Sequence, residues 1–306
     1  MNQYRSVWMF LLYWGMSISA SAQVMELYQA PISTRAGLTQ VGAPTKIRSA
    51  FRDLRMPAWD ATGGNLYYMA SEGEGATTTS LVRYRMADGA EQVIHTTNWG
   101  ITYIAVDGED VYWAELDGYG NSRILRKTPN AEPVPVFTAL KANQLWRVAP
   151  HRMWISTFQD DGDQPFIQDC DTVSQTCEAV GDVNARVIGK HPTQSAVLLW
   201  RTEDNPHGLE TVYWLYDLKT RQMKRMIRTN GMQFSVHPID GSVWASEGAS
   251  IRYALMKRGK VAKWIEVSRG NGWASARLSE ILEMMFSPDG KTLVFEHFRG
   301  PNAGLK

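Results

Sequence analysis

The chain repeats one local pattern six times: a turn rich in Pro, Asp or Gly is followed by a short apolar strand. In one clear copy, the turn at 237–241 precedes the strand Val243–Ala245. A repeat of about 45 residues that contains four strands is typical of a β-propeller. The sequence therefore predicts an all-β fold, a six-bladed β-propeller of four-stranded blades. The apolar strands begin at Leu66, Val111, Met153, Val197, Val243 and Leu293, at steps of 45, 42, 44, 46 and 50 residues.

The second repeat shows how the four strands of a blade are arranged. Val111–Leu116, Ser122–Lys127 and Val134–Thr138 have the composition of strands, and Gln144–Val148 begins the next repeat. Residues 117–121 and 128–131, which separate them, carry the Gly, Asn, Asp and Pro residues that favour hairpin turns. The same order of strands and turns recurs in the first and fourth repeats.

The last repeat is incomplete, because only 299–306 follow its apolar strand at Leu293–Phe298. Two further strands are predicted near the N-terminus, at Val24–Tyr28 and Gly37–Val41. If these complete the last blade, the ring closes without free sheet edges. We therefore expect residues 23–306 to form a single propeller domain.

Residues 1–22 have the features of a signal peptide for export. Arg5 supplies a positive charge, Ser6–Ser19 is largely apolar, and small residues at 20–22 offer a cleavage site before Gln23. The alternative is a retained membrane anchor, although the apolar run is shorter than the ~20 residues that a spanning helix needs. The expected location is the periplasm, or the outside of the cell.

The two cysteines, Cys170 and Cys177, lie in one predicted hairpin. In an oxidising compartment we expect them to form a disulfide. A redox or metal-binding pair is the alternative, but it would need a closer spacing or further ligands. The 32 Lys and Arg residues nearly balance the 31 Asp and Glu residues, which argues against nucleic acid as a partner.

Two turns and one strand resemble the TolB-like six-bladed propeller family. The turns are Phe286–Lys291, which reads Phe-Ser-Pro-Asp-Gly-Lys, and the more degenerate Pro57–Gly64; the strand is Val212–Thr220. The resemblance extends over nearly all of 24–306. It implies a periplasmic propeller, related to WD40-like repeats, that binds a protein or peptide of the cell envelope.

Motifs for catalysis are not found in the sequence. The closest approach to a Gly-x-Ser-x-Gly nucleophile motif is 248–250, which lacks the second glycine. Three of the six histidines, His151, His191 and His237, fall in the repeated turn. They are interpreted as turn residues, with a metal or catalytic role as the alternative. No catalytic residue or metal ligand is therefore predicted.

Polar residues are concentrated in loops that should open on one face of the ring. These are the loop after each apolar strand and the loop that leads into the next blade. An Asn and carboxylate ring could bind a polar peptide or a cation such as Ca²⁺, whereas the same residue types also favour tight turns. The candidate binding residues are Asp53, Asn98, Asn143, Asn184, Asn230, Glu280, Asp117, Asp161 and Glu203.

Two function classes follow from these observations. The leading hypothesis is an exported, monomeric, non-catalytic propeller that binds a periplasmic or envelope protein or peptide through this polar face. The alternative is a metal-dependent hydrolase of the lactonase type, with Ca²⁺ as a possible cofactor in the central channel. Glycan binding by channel aromatics is a third possibility, because the fold alone does not select a function.

Overall fold

The structure is a computed structural model. It describes residues 24–35, 38–51, 53–71, 77–117, 122–137, 142–159, 162–181, 183, 185–192, 194–205, 208–229, 233–257, 260–267 and 280–299. Within these residues all regular elements are β-strands, numbered β1 to β25 in chain order. No helix in these ranges is long and apolar enough to cross a membrane.

The strands form six sheets, which we call blades 1 to 6. The N-terminal strands are β1 (Val24–Arg35), β2 (Leu38–Val41) and β3 (Thr45–Phe51). Blade 1 consists of β4 (Asp53–Trp59), β5 (Asn65–Ser71), β6 (Thr79–Arg85) and β7 (Glu91–Thr97). Blade 2 consists of β8 (Gly100–Asp107), β9 (Asp110–Leu116), β10 (Ser122–Lys127) and β11 (Val134–Phe137). Blade 3 consists of β12 (Ala142–Ala149), β13 (Arg152–Gln159), β14 (Gly162–Asp171) and β15 (Thr176–Ala179).

The remaining blades follow the same order. Blade 4 consists of β16 (Arg186–Lys190), β17 (Ala196–Asn205), β18 (Gly208–Asp217) and β19 (Met223–Thr229). Blade 5 consists of β20 (Gln233–Val236), β21 (Val243–Glu247), β22 (Ser250–Lys257) and β23 (Lys260–Glu266). Blade 6 begins with β24 (Glu280–Phe286) and β25 (Thr292–Arg299) and is completed by the N-terminal strands.

The first strands of the blades form a closed ring. In the order β4, β8, β12, β16, β20, β24 and back to β4, each first strand contacts the next. The apolar strand of the sequence repeat is the second strand of each blade. The predicted six-bladed propeller is therefore confirmed.

The N-terminal strands close the ring, but by more strands than the sequence indicates. β1 pairs with β25 over Val24–Pro31 and with β3 over Val24–Gln29, and its last residues, Ile32–Arg35, pair with β2. The predicted strands at Val24–Tyr28 and Gly37–Val41 correspond to β1 and β2, although residue 37 lies outside the described ranges. β3 is not among the predicted strands, and it occupies most of the outer position of blade 6.

Six apolar clusters fill the spaces between neighbouring blades, one for each pair. They include the fully buried Trp113 of blade 2 and Trp244 of blade 5. Burying apolar area of this kind provides the main free energy that holds sheets face to face. The predicted disulfide is also present: Cys170 and Cys177 pair directly across β14 and β15, with Cα atoms 4.1 Å apart.

Candidate binding site

The strand register decides which loops share a face of the ring. Asp53 of β4 pairs with Ser71 at the end of β5, and Glu280 of β24 pairs with Phe298 near the end of β25. Gly100 likewise pairs with Leu116 in blade 2. First strands therefore begin where second strands end. We call this side of the ring the candidate face, and the side with the repeated Pro, Asp or Gly turns the turn face.

The predicted binding residues can be placed in part on the candidate face. Asp53, Asn143 and Glu280 lie at the starts of β4, β12 and β24. Asn98 is an exposed residue in the bend before β8, and Asp117 directly follows β9. Glu203 lies near the end of β17. Asn184, Asn230 and Asp161 lie outside the described residues.

The acidic residues of this face are partly neutralised by arginines. Glu203 accepts a hydrogen bond of 2.7 Å from Arg201 Nε and is also paired with Arg225. Both guanidinium groups lie over the Trp214 ring, at 4.8 and 5.1 Å from its centroid. Burial alone would raise the pKa of the Glu203 carboxyl, but the two arginines lower it below its usual value. The result is a mixed patch of arginine, glutamate and tryptophan.

A second arginine–tryptophan contact lies at the same face in blade 2. Arg123 lies over the Trp99 ring, 4.3 Å from its centroid, and its Nη2 is 2.7 Å from Glu115 Oε2. The Glu115 carboxylate is fully buried and also accepts a hydrogen bond of 2.9 Å from Trp113 Nε1. His95 Nε2 lies 2.8 Å from Glu115 Oε1, the same oxygen that accepts the hydrogen bond from Trp113. Glu115 therefore holds Arg123 against the Trp99 ring.

The electrostatics of Glu115 follow from these contacts. Burial alone would raise the pKa of its carboxyl. Hydrogen bonds from His95, Trp113 and Arg123 outweigh burial, so the pKa lies below its usual value. The sequence contains only a weak indication of this site, because Glu115 stands alone in the apolar run Val111–Leu116 and reads as the solvent side of a strand.

On the ring axis lies a cavity of about 370 Å³. All six first strands contribute to its wall, and so do β17 and β18 of blade 4. The polar residues that line the cavity differ from blade to blade, whereas most of the apolar lining residues are aromatic residues or Met. One lining residue from each first strand, in blade order, is Pro57, Tyr103, Gln144, Arg186, Gln233 and Glu283.

Three of these residues, from alternate blades, influence one another electrostatically. Burial raises the pKa of Tyr103 to about 12, and the charge of Glu283 raises it while that of Arg186 opposes the shift. Burial lowers the pKa of the Arg186 guanidinium, and Tyr103 opposes this only in part. Arg186 lies over the Trp200 ring, 5.0 Å from its centroid. Among the described residues that line the cavity, Arg186 is the cationic side chain and Glu283 the anionic one, and several of the others are aromatic.

A metal site is not evident in the described residues, where no group of three His, Cys, Asp or Glu side chains is placed to hold an ion. The three turn histidines lie on the turn face, away from Glu115 and Glu203. The His237 ring stacks with Trp244 and meets Phe286 edge to face, and its Nε2 lies 3.1 Å from the Gly290 carbonyl oxygen of the next blade. This contact fits the predicted structural role.

Comparison with solved structures identifies the relatives of this fold. A structure of putative TolB from Agrobacterium tumefaciens superposes with a TM-score of 0.61 at 14% identity, covering 91% of this chain and 99% of that one. TolB from Acinetobacter baumannii gives a TM-score of 0.54 at 14% identity, covering 94% of this chain and 67% of that one. The fold is a TolB-like six-bladed propeller.

The same fold also occurs in enzymes. An oligogalacturonate lyase in complex with manganese gives a TM-score of 0.51 at 11% identity, covering 87% of this chain and 84% of that one. No protein-family model matches the chain, and no curated protein sequence matches it. At these identities the likeness shows the fold alone, and the same fold occurs in enzymes, so the function has to be argued from the site.

Proposed function

We propose that this chain is an exported, non-catalytic propeller that binds a protein or peptide of the cell envelope through the candidate face. The observation that carries the proposal is the Trp99–Arg123 contact with the buried Glu115 beneath it. Trp and Arg are the residue types that dominate binding energy at protein interfaces. A carboxylate that fixes the arginine reduces the entropy lost on binding.

The neighbouring residues support a polar, extended contact surface. Asn98 is adjacent to Trp99, and Asp117 follows the strand that carries Glu115. Glu203, with Arg201 and Trp214 beside it, repeats these residue types on blade 4, where Trp214 pairs with Leu199 in the middle of the blade. These two patches offer aromatic surface together with charges of both signs. Such a surface suits a partner with polar and apolar residues better than it suits a purely basic or acidic one.

Export is supported by the Cys170–Cys177 disulfide, because disulfides persist in oxidising compartments. It is also supported by the TolB-like architecture and by the signal-like sequence of residues 1–22. A cell fractionation of the full chain tests this part. We expect processed protein in the periplasmic fraction, with an N-terminus at Gln23, and a cytoplasmic full-length product would contradict it.

The binding proposal is tested by capture from an envelope extract on immobilised residues 23–306. We expect a defined partner that is lost with Trp99→Ala and retained with Ile239→Ala. Ile239 is a matched control because it is an exposed apolar residue on the turn face. Equal capture by both variants would refute the assignment of the face. No captured partner, together with turnover of small esters or lactones, would refute the non-catalytic proposal.

The alternative of a metal-dependent hydrolase has one specific observation in its favour, which is the manganese complex of the structurally similar oligogalacturonate lyase. A thermal melt with millimolar Ca²⁺ or Mn²⁺, repeated after EDTA, tests it. A metal that binds the native state raises the melting temperature. A shift of several degrees that Asp53→Ala removes would favour the hydrolase over the binding protein.

A further inference from the structure

The cavity on the ring axis extends outward on one side, between blades 4 and 5. Within the described residues, blade 4 is the blade whose second and third strands reach the cavity, so this extension is not repeated around the ring. We call the extension the side pocket. Its lining residues are Trp200, Thr211 and Tyr213 from blade 4, and Gln233, Phe234 and Ser235 from blade 5.

Three aromatic rings form the apolar part of the side pocket. The Tyr213 and Phe234 rings contact each other across the blade boundary, with their centroids 3.8 Å apart. The third ring belongs to Trp200, and the Arg186 guanidinium covers one side of it at 5.0 Å. Burial raises the pKa of the Tyr213 hydroxyl, so this side chain is neutral at neutral pH. The rings thus offer a large, rigid and uncharged apolar area.

The polar part of the side pocket also carries no formal charge. Thr211 and Ser235 provide hydroxyl groups, and Gln233 provides an amide. In the part of the chain that the structure describes, none of these three side chains forms a hydrogen bond within the protein. Ser235 is nevertheless buried, at 8% exposure. Because buried polar groups are normally hydrogen-bonded, a ligand with hydroxyl groups would supply the partners that these side chains need.

The charged residues of the wider cavity do not favour a charged ligand. Arg186 and Glu283 both interact already with other groups of the protein. Gln144, which also lines the cavity, is held in place because its Oε1 accepts a hydrogen bond of 3.1 Å from the Val187 N–H. A charged ligand that leaves water without a new counter-charge loses free energy. A neutral polar ligand avoids most of this cost.

The volume of the cavity limits the size of the ligand. At about 370 Å³, the cavity lies near the lower end of the ~300–1,000 Å³ that is usual for small-molecule sites. At ~30 Å³ for each water, it has room for about twelve water molecules. A single hexose has a similar number of non-hydrogen atoms. Its C–H groups form apolar faces that pack on aromatic rings, and each hydroxyl group on its rim both donates and accepts hydrogen bonds.

We propose that the axial cavity binds a neutral hexose in the side pocket, either as a free sugar or as the terminal unit of a neutral oligosaccharide. The apolar faces of the sugar pack against the three rings, and its hydroxyl groups bond to the two hydroxyls and the amide of the pocket. This site is independent of the proposed partner surface, because no residue of the Trp99 or Trp214 patches lines the cavity.

The test is isothermal titration calorimetry of residues 23–306 with glucose, galactose and mannose, together with the uronate of each sugar. Saturation-transfer NMR on the same samples reports which ligand protons lie against the protein. We expect at least one neutral sugar to bind, with saturation transferred mainly to the C–H protons of its ring. The uronate of that sugar should bind at least tenfold more weakly, because its carboxylate gains no free counter-charge.

Two variants and one control locate the site. Gln233→Ala removes the amide at an exposed position and should weaken sugar binding at least fivefold. Phe234→Leu removes an aromatic ring but keeps an apolar side chain, and it should weaken binding by a similar factor. Gln222→Ala is the matched control, because Gln222 is an exposed glutamine between β18 and β19 that does not line the cavity. This variant should bind the sugar like the wild type.

Three results would overturn the proposal. These are absent binding of all three neutral sugars at high millimolar concentration, a uronate that binds as tightly as its neutral sugar, or an equal loss with Gln222→Ala and Gln233→Ala. Circular dichroism of each variant shows whether it has folded, and Gln233→Ala keeps the test valid if Phe234→Leu does not fold. Capture of an envelope partner is a separate measurement, so failure of either proposal can be recognised without the other.

Discussion

The turn face contains a contact that should make Gly290 nearly irreplaceable. Gly290 lies in the turn between β24 and β25 with a φ of +68°. A Cβ atom at this position would lie 2.5 Å from His237 Nε2 and 2.7 Å from its Cε1. His237 belongs to the equivalent turn of blade 5. The glycine of one blade therefore accommodates the histidine ring of the blade before it.

Two costs add in Gly290→Ala. A non-glycine residue in the left-handed region costs about 1–2 kcal/mol. Forcing an extra carbon against a packed ring costs about 1–3 kcal/mol more. Gly108 offers a matched control, because its φ is +64° but a Cβ atom added there would have no neighbouring atom within 4 Å. Gly108→Ala should therefore show only the backbone cost, and Gly290→Ala should exceed it by about 1–3 kcal/mol.

Urea unfolding of residues 23–306, followed by tryptophan fluorescence, measures both free energies of unfolding. The double variant His237→Ala/Gly290→Ala should be less destabilised than the sum of its single variants, because the clash is absent without the ring. His237→Ala alone has a cost, since the ring is within hydrogen-bond distance of the Gly290 carbonyl. Equal effects of Gly290→Ala and Gly108→Ala, or strict additivity in the double variant, would refute the reasoning.

Three further predictions concern the buried carboxylate, the disulfide and the ring closure. Because the pKa of the Glu115 carboxyl is lowered in the fold, its contribution to stability is present above about pH 4.5 and is lost as the pH falls below that value. In acid titrations followed by circular dichroism, Glu115→Gln should therefore lose less stability over this range than the wild type. Glu247→Gln, at an exposed position, should behave like the wild type. Replacing Cys170 by Ser removes the disulfide to Cys177, which closes a short loop, and should lower the free energy of unfolding by about 2–3 kcal/mol. Wild-type protein under reducing conditions should show the same loss. An unchanged unfolding midpoint would contradict this prediction. Deleting β1 exposes the edge of β25, so size-exclusion chromatography should show aggregated protein, whereas a monomeric, cooperatively folded product would show that β1 is dispensable.

The blade structure is predictable because each repeat carries its own local signals. β10, at Ser122–Lys127, has the bounds that the sequence predicts, and β9 begins one residue earlier than expected. Turns that contain glycine or proline separate these strands. β3 is not predicted because Thr45–Phe51 contains few apolar residues and because the position of this strand is determined by its pairing with β1. An outer strand of this kind buries few side chains, so its sequence lacks the apolar pattern from which strands are predicted.

The candidate site is less predictable, because its residues come together only through the closed ring. Tyr103, Arg186 and Glu283 are far apart in sequence, and no local pattern relates them. They meet at one cavity because the first strands of all six blades surround the same axis. The polar residues of the loops are predicted from their positions after the apolar strands and before the next blades, which identify a shared face but not the partners of each side chain.

The repeat itself suggests how structure and function are divided in this ring. On the turn face, the same contact recurs: a Cβ at Gly241 would lie 2.5 Å from His191 Nε2, as one at Gly290 would from His237. A contact that recurs at two successive blade boundaries, between blades 4 and 5 and between blades 5 and 6, is explained by the packing of neighbouring blades. The axial residues differ from blade to blade, and the closure of the ring does not require charges such as those of Arg186 and Glu283. The differing residues that line the axial cavity are therefore not explained by the closure of the ring.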